Sequence, residues 1–137
     1  MKVISIKEPF ATLILNGIKR IETRSWKTNY RGEIFIHASG KKLAKEFFRD
    51  NFIGDLIKDM DMNYGNIICR CKLVDCIYMD KEFLEKIKNN QVEYQIGDYK
   101  LGRYAWILED IEPIYPIPVK GRLNIWNFEG EYRVIKR

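Results

Sequence analysis

Residues 7–42, KEPFATLILNGIKRIETRSWKTNYRGEIFIHASGKK, set the order of elements from which the rest of the chain is read. Pro9 can open a helix, because its missing N–H falls in the first turn, where no intrahelical partner exists. Phe10, Leu13 and Ile14 follow at i, i+3 and i+4, and Gly17 stops the helix, which predicts about two turns. From Arg20 to Ser25 the pattern becomes β-like. Strand alternation then puts Arg20, Glu22, Arg24 and Trp26 on one side and Ile21 and Thr23 on the other. Tyr30, Arg31 and Gly32 read as a turn. Glu33 to Ser39 reads as a strand with Ile34, Ile36 and Ala38 on one face and Phe35 and His37 on the other, so both faces are expected to be partly covered.

Outward from this stretch, Lys2 to Ile6 alternates as a short strand. Lys41 to Phe52 has the spacing of an amphipathic helix, with Leu43, Ala44, Phe47, Phe48 and Phe52 inward and Lys41, Lys42, Lys45 and Arg49 outward. Residues 54–65 are mixed and read as a short helix or a loop. Asn66 to Tyr78, NIICRCKLVDCIY, is rich in β-favouring residues and predicts one long or bent strand. Asp80 is placed to cap a helix through Lys88, with Phe83, Leu84 and Ile87 inward. Residues 89–102 read as a loop and Tyr104 to Leu108 as a strand. Pro113, Pro116 and Pro118 mark an irregular extended crossing, and Lys120 to Phe128 with Glu131 to Ile135 predicts a closing hairpin around Glu129-Gly130. Many strands with a few helices imply an α+β fold, a small barrel or strongly curved sheet with helices packed outside.

A chain of 137 residues, 46% apolar and 13% aromatic, is expected to form one domain, residues 1–137, with a core that needs no metal or disulfide staple. Three cysteines (Cys69, Cys71, Cys76) and a single histidine match neither a disulfide framework nor a four-ligand zinc site, so no metal and no cofactor is expected. Cys69 and Cys71, at period two, should share one strand face as core thiols, with Cys76 on the other. The same cysteine usage points to a reducing, cytoplasmic setting. The apolar runs are too short to cross a bilayer, and no membrane association is expected.

Charge is unevenly placed. Residues 1–49 hold 11 Lys/Arg against 4 acids, whereas the remainder holds 13 against 15. This asymmetry points to a polyanionic partner, RNA or DNA. The helix ending at Gly17 should deliver Lys19 to a strand whose exposed face carries Glu22, Arg24 and Trp26, so that charge and an aromatic plane converge. Nucleic acid uses both, cations for phosphates and aromatic faces for bases. The candidate cations are Lys19, Arg20, Arg24, Lys27, Arg31, Lys41 and Lys42, and the candidate platforms are Trp26 and Tyr30. Glu22 can accept from a base edge, orient Arg24, or take a proton. Each has a structural alternative: an ion pair of Glu22 with Arg24 or Lys19 at the barrel mouth, and core roles for Trp26, Trp106 and Trp126. His37 reads as a hydrogen-bonded structural residue with no Ser or Cys partner set in view.

The segments IKEPFATLILNGIKRIETRSW, NYRGEIFIHAS and YAWILEDIEPIYPIPVKGRLNIW together resemble the ASCH (activating signal cointegrator homology) domain of the PUA-like superfamily, over nearly the whole chain. The G-x-K-x-x-E-x-R element falls on Gly17, Lys19, Glu22 and Arg24. Phe10 stands where the family's Pro-Trp pair has tryptophan. The resemblance implies a small PUA-like β-barrel with two to four flanking helices, a cleft between the first helix and the barrel, and work in RNA or DNA metabolism. Relatives in the superfamily deacetylate a modified cytidine with a Lys-x-x-Thr pair. Here Lys19 matches, but Glu22 occupies the threonine position and Thr23 faces the other way. Three functions follow as expectations: a nucleic-acid-binding domain whose cationic cleft takes a nucleotide or strand end, a small hydrolase of a modified nucleoside or RNA using Lys19 and Glu22, and a protein-interaction module of a transcription- or translation-linked complex.

Overall fold

The computed structural model describes residues 1–44 and 51–136. Its elements are β1 (Lys2–Ile6), α1 (Phe10–Leu15), β2 (Ile21–Arg24), β3 (Gly32–Ala38), α2 (Phe52–Ile57), β4 (Asn66–Tyr78), α3 (Lys81–Ile87), α4 (Gln91–Gln95), β5 (Tyr104–Pro118) and β6 (Ile125–Asn127). The strands form one sheet in the order β2-β5-β4-β3-β1-β6. Only β1 and β3 are parallel. The long β4–β5 pair carries register shifts at Ile67/Cys69, Arg70/Lys72 and Leu73/Asp75. Bulges of this kind bend and twist a ladder, which curls the sheet into a half-barrel. The result is the small α+β, PUA-like fold with short flanking helices.

Alternation along β1 and β3 divides the interior in two. Ile4, Ile6, Ile34, Ile36 and Ala38 enter one cluster with Ala11 and Ile14 of α1, Cys69, Cys71, Trp106 and Leu108. Val3 and Phe35 enter a second with Ile67, Ile114 and Trp126. Both faces of these strands are covered. Helix α1 is held down from its first turn: the buried Glu8 carboxylate accepts the Thr12 backbone N–H at 2.8 Å and the Asn63 N–H at 2.7 Å. Asp80 caps α3 by accepting the Phe83 N–H at 2.8 Å.

Several expectations are corrected. Residues 41–44 are not helical, Lys45, Phe47, Phe48 and Arg49 of the expected helix lie outside the described residues, and Phe52 begins α2. The loop expected over 89–102 contains α4, whose Asn90 side chain accepts the Glu93 N–H. The five residues of α4 are too few for an apolar period, and its buried residue is Glu93. β5 runs unbroken through Pro113 and Pro116 to Pro118. Its pairing with β2 stops at Ile107, and beyond that only the isolated bridge Ile114–Val134 flanks it on that side, so little ladder is lost to the missing N–H groups. The C-terminal hairpin does not form. Trp126 is needed in the second cluster, so β6 pairs with β1, and the segment around Val134 returns to β5. Tyr30 and Arg31 lie in irregular chain with no assigned turn, and Gly32 (φ 122°) opens β3. Cys76 packs against the same cluster as Cys69 and Cys71, because the shift at Leu73/Asp75 resets the alternation.

Candidate nucleic-acid interface

A cleft of about 1020 Å³ opens where the half-barrel does not close, between the β1 end of the sheet and its β2 edge. Arg24 spans this seam. Its Nη2 donates to the Ser5 carbonyl at 2.8 Å, while its Nε donates to Glu22 Oε2 at 3.0 Å. Both bonds follow from β2 alternation, which turns Glu22 and Arg24 to the same side. Glu22 is only 9% exposed, so the strand face expected to be open to solvent is instead the floor of the cleft.

Lys19 lies deeper, at 1% exposure. Its Nζ donates to the Ile96 carbonyl at 3.2 Å and sits 5.6 Å from the Phe10 ring centre. Burial lowers its pKa against the opposing pull of Glu22 and Glu93. Glu93, buried on α4, accepts the backbone N–H of Arg20, and burial raises its pKa. The Tyr99 hydroxyl is buried beside Glu93, and burial together with the charge and side chain of Glu93 raises the tyrosine pKa. A short helix that looked like loop in the sequence thus pins the start of β2. Trp26 packs edge-on against Trp106 at 4.7 Å between ring centres while still lining the cleft. Trp106 is core.

Of the other candidates, Arg20 faces a separate depression with Gly17 and Asp110, because it precedes β2 and the alternation does not reach it. Lys27 is exposed outside the cleft lining. The Tyr30 hydroxyl donates to the Glu33 carbonyl at 2.5 Å. Arg31 donates to the Thr28 and Tyr30 carbonyls and lies 3.8 Å from Asp75. Lys41 is exposed, and the Lys42 ammonium sits 4.0 Å from the Tyr64 ring centre. The cleft therefore gathers Lys19, Glu22, Arg24 and Trp26 and leaves out Arg20, Lys27, Tyr30, Arg31, Lys41 and Lys42.

Sequence reading missed the opposite side. Lys7, Arg103, Lys120 and Arg122 also line the cleft, against only Glu22 and Asp98 among its acids. Lys120 and Arg122 come from the part of the chain without net positive charge. The Lys-Gly-Arg triplet after Pro118 was the available signal. His37 also has a serine partner: Ser5 and His37 are paired across β1 and β3, with Oγ to Nδ1 at 3.0 Å, and the His37 Nε2 faces the Val119 carbonyl at 2.8 Å. Because a carbonyl only accepts, Nε2–H donates to Val119, while Nδ1 shares a hydrogen bond with Ser5 Oγ, which also accepts Trp126 Nε1–H at 3.1 Å. This chain joins β1, β3, β6 and the strand exit at Val119.

Among the described residues no helix is long and apolar enough to cross a membrane, and no cluster of three or more His, Cys, Asp or Glu side chains is arranged to hold a metal. Comparison with known proteins agrees with the fold. The structure is similar to the crystal structure of ASCH from Zymomonas mobilis, with a TM-score of 0.53 and 20% identity, over 85% of this chain and 72% of that one. Two single-residue variants of the Zymomonas protein align with TM-scores of 0.55 and 0.51. In sequence the chain is 27% identical to Activating signal cointegrator 1 of mouse over 133 residues, and 27% identical to its human counterpart over 136, in each case 93% of this chain. The chain spans 22% of the length of these curated relatives. The family model for the ASCH domain matches residues 4–120, and the chain belongs to the ASCH domain family.

Proposed function

We propose that the cleft binds nucleic acid and takes an unpaired nucleotide or a strand end. The observation that carries this reading is the cleft's charge: Lys7, Lys19, Arg24, Arg103, Lys120 and Arg122 face Glu22 and Asp98 around one opening, beside Trp26 and Phe10. Its volume is near the upper end of the range, roughly 300–1,000 Å³, of pockets that enclose single small molecules, which suits one nucleotide better than a duplex. Exposed rim cations would neutralise phosphates with release of counterions, and Trp26 would offer an aromatic surface to a base. Arg24 and Lys19, already bonded to backbone carbonyls, would shape the floor and meet the nucleotide there. Lys27, Arg31, Lys41 and Lys42 lie outside the cleft, where they would contact only a strand that continues past it.

A second reading rests on Lys19 and Glu22. A lysine with a lowered pKa beside a buried carboxylate is a combination that can activate water, so hydrolysis of a modified nucleoside or RNA is the alternative use of the same floor. The test for both is a polarisation titration against single- and double-stranded RNA and DNA at two salt concentrations, with each mixture then analysed for products by mass spectrometry. The binding reading expects salt-dependent association without turnover. Turnover abolished by Glu22→Gln would replace it with the second, and absence of binding to every oligonucleotide would overturn it.

A further inference from the structure

Leu123 is 90% exposed, more than any other large apolar side chain among the described residues. A single exposed leucine is ordinary by itself. This one stands at the rim of the cleft, on a turn whose two ends are fixed. At the near end the Val119 N–H donates to the Gly65 carbonyl at 3.0 Å and the Val119 carbonyl meets His37 Nε2. Gly121 lies so close to the Ser5–His37 pair that a Cβ there would sit 2.7 Å from both His37 Cε1 and Ser5 Oγ. At the far end Ile125 and Trp126 pair with Ile4 and Val3 of β1, and Asn124 holds the left-handed backbone (φ 59°) that turns the chain between them. An anchored turn thus projects an apolar tip between exposed Lys120 and Arg122 on one side and Asn124 on the other.

Two cations beside an apolar tip suit a ligand that is anionic outside and apolar between its layers. Nucleic acid is such a ligand, with phosphates at the edge and stacked bases within, and inserted leucines are a known way to open a base step. We infer that Leu123 is a wedge: it enters between two neighbouring bases at the cleft mouth and holds that step open while the adjoining nucleotide enters the cleft. This rests on the nucleic-acid reading of the cleft and names its ligand more closely, as a strand with a weakly stacked step, such as an unpaired base beside a duplex. The lysine and arginine, both on one side of the tip, grip the phosphates that lead into the step. The turn's fixed ends keep the tip from folding back.

The experiment places 2-aminopurine, whose fluorescence rises on unstacking, beside an unpaired nucleotide in a short duplex, and compares wild type with Leu123→Ala, Leu123→Met and Lys120→Ala/Arg122→Ala at saturating protein. Wild type and Leu123→Met are expected to raise the fluorescence. Leu123→Ala should lose at least about half of that rise while its affinity falls by no more than about tenfold, because the phosphate contacts remain. The double variant should bind more weakly yet reach the full rise at saturation. An undiminished rise with Leu123→Ala would overturn the wedge and leave the cleft reading standing. Binding by wild type to an acidic peptide but to no oligonucleotide would overturn both.

Discussion

The two sides of the cleft hold their charges in opposite ways. On the β2 side, Lys19, Glu22 and Arg24 are buried or half-buried and are bonded to one another or to the Ser5 and Ile96 carbonyls. On the β6 side, Lys120 and Arg122 are exposed on a turn whose own anchors include no carboxylate: a histidine, a serine, a tryptophan N–H and backbone. Charges of the first kind fix a shape, because removing one leaves its partners uncompensated in a poorly solvated place. Charges of the second kind can be neutralised by a phosphate with little structural consequence. Under the proposed binding, specific fit and salt-dependent grip would fall to different sides of the same opening.

The largest expected effect comes from breaking the buried side. Lys19→Met removes the cation that attracts both Glu22 and Glu93 and leaves the Ile96 carbonyl without its donor. A loss of about 3 kcal/mol in urea unfolding is expected, at the low end of what breaking a buried charged cluster costs. A loss below about 0.5 kcal/mol would mean that Lys19 is a free cation after all.

Next comes the anchor on the other side. Gly121→Ala forces a methyl against His37 and Ser5 and is expected to cost about 1–3 kcal/mol, the range for overpacking, and to weaken oligonucleotide binding by displacing the turn. Unchanged stability would show that the turn gives way easily.

Smaller still is a pH effect on the buried side. Burial raises the Glu93 pKa in the folded protein above its ordinary 4.5, so the folded state binds this proton more tightly than the unfolded chain does. That contribution to stability is complete below the unfolded value and is lost as pH rises through the folded one. Glu93→Gln keeps an acceptor for the Arg20 N–H and has no such titration. Wild type should therefore gain stability relative to the variant as pH falls from neutral toward 4.5, in paired denaturation curves. Parallel curves across that window would contradict the assignment.

How much of this could be read in advance follows the same division. The β2 side was legible because its residues sit within a few positions of each other: Gly17 ends a helix, and alternation from Glu22 to Arg24 needs no knowledge of the fold. Even so, the local pattern could not reveal that the strand face was a floor, because the lid over Lys19 is α4, dozens of residues away. The β6 side was illegible for a related reason. Lys120 and Arg122 reach the cleft only because β6 pairs with β1, and the sequence there suggested a local hairpin. A partner for His37 was hidden in the parallel register of Ser5, a pairing that strands 32 residues apart do not announce. Long β4 was legible from composition, whereas β5 was broken in reading by prolines that the half-paired strand tolerates.

If exposed cations on the β6 side supply the phosphate contacts, the salt dependence of binding shows it most directly. Wild type, Lys120→Ala/Arg122→Ala and Lys27→Ala are titrated with a labelled single-stranded oligonucleotide over a series of salt concentrations. The double variant should bind more weakly, with the slope of log affinity against log salt reduced in magnitude by about 1.4, while Lys27→Ala leaves the slope nearer to wild type. Equal slopes for wild type and the double variant would contradict it.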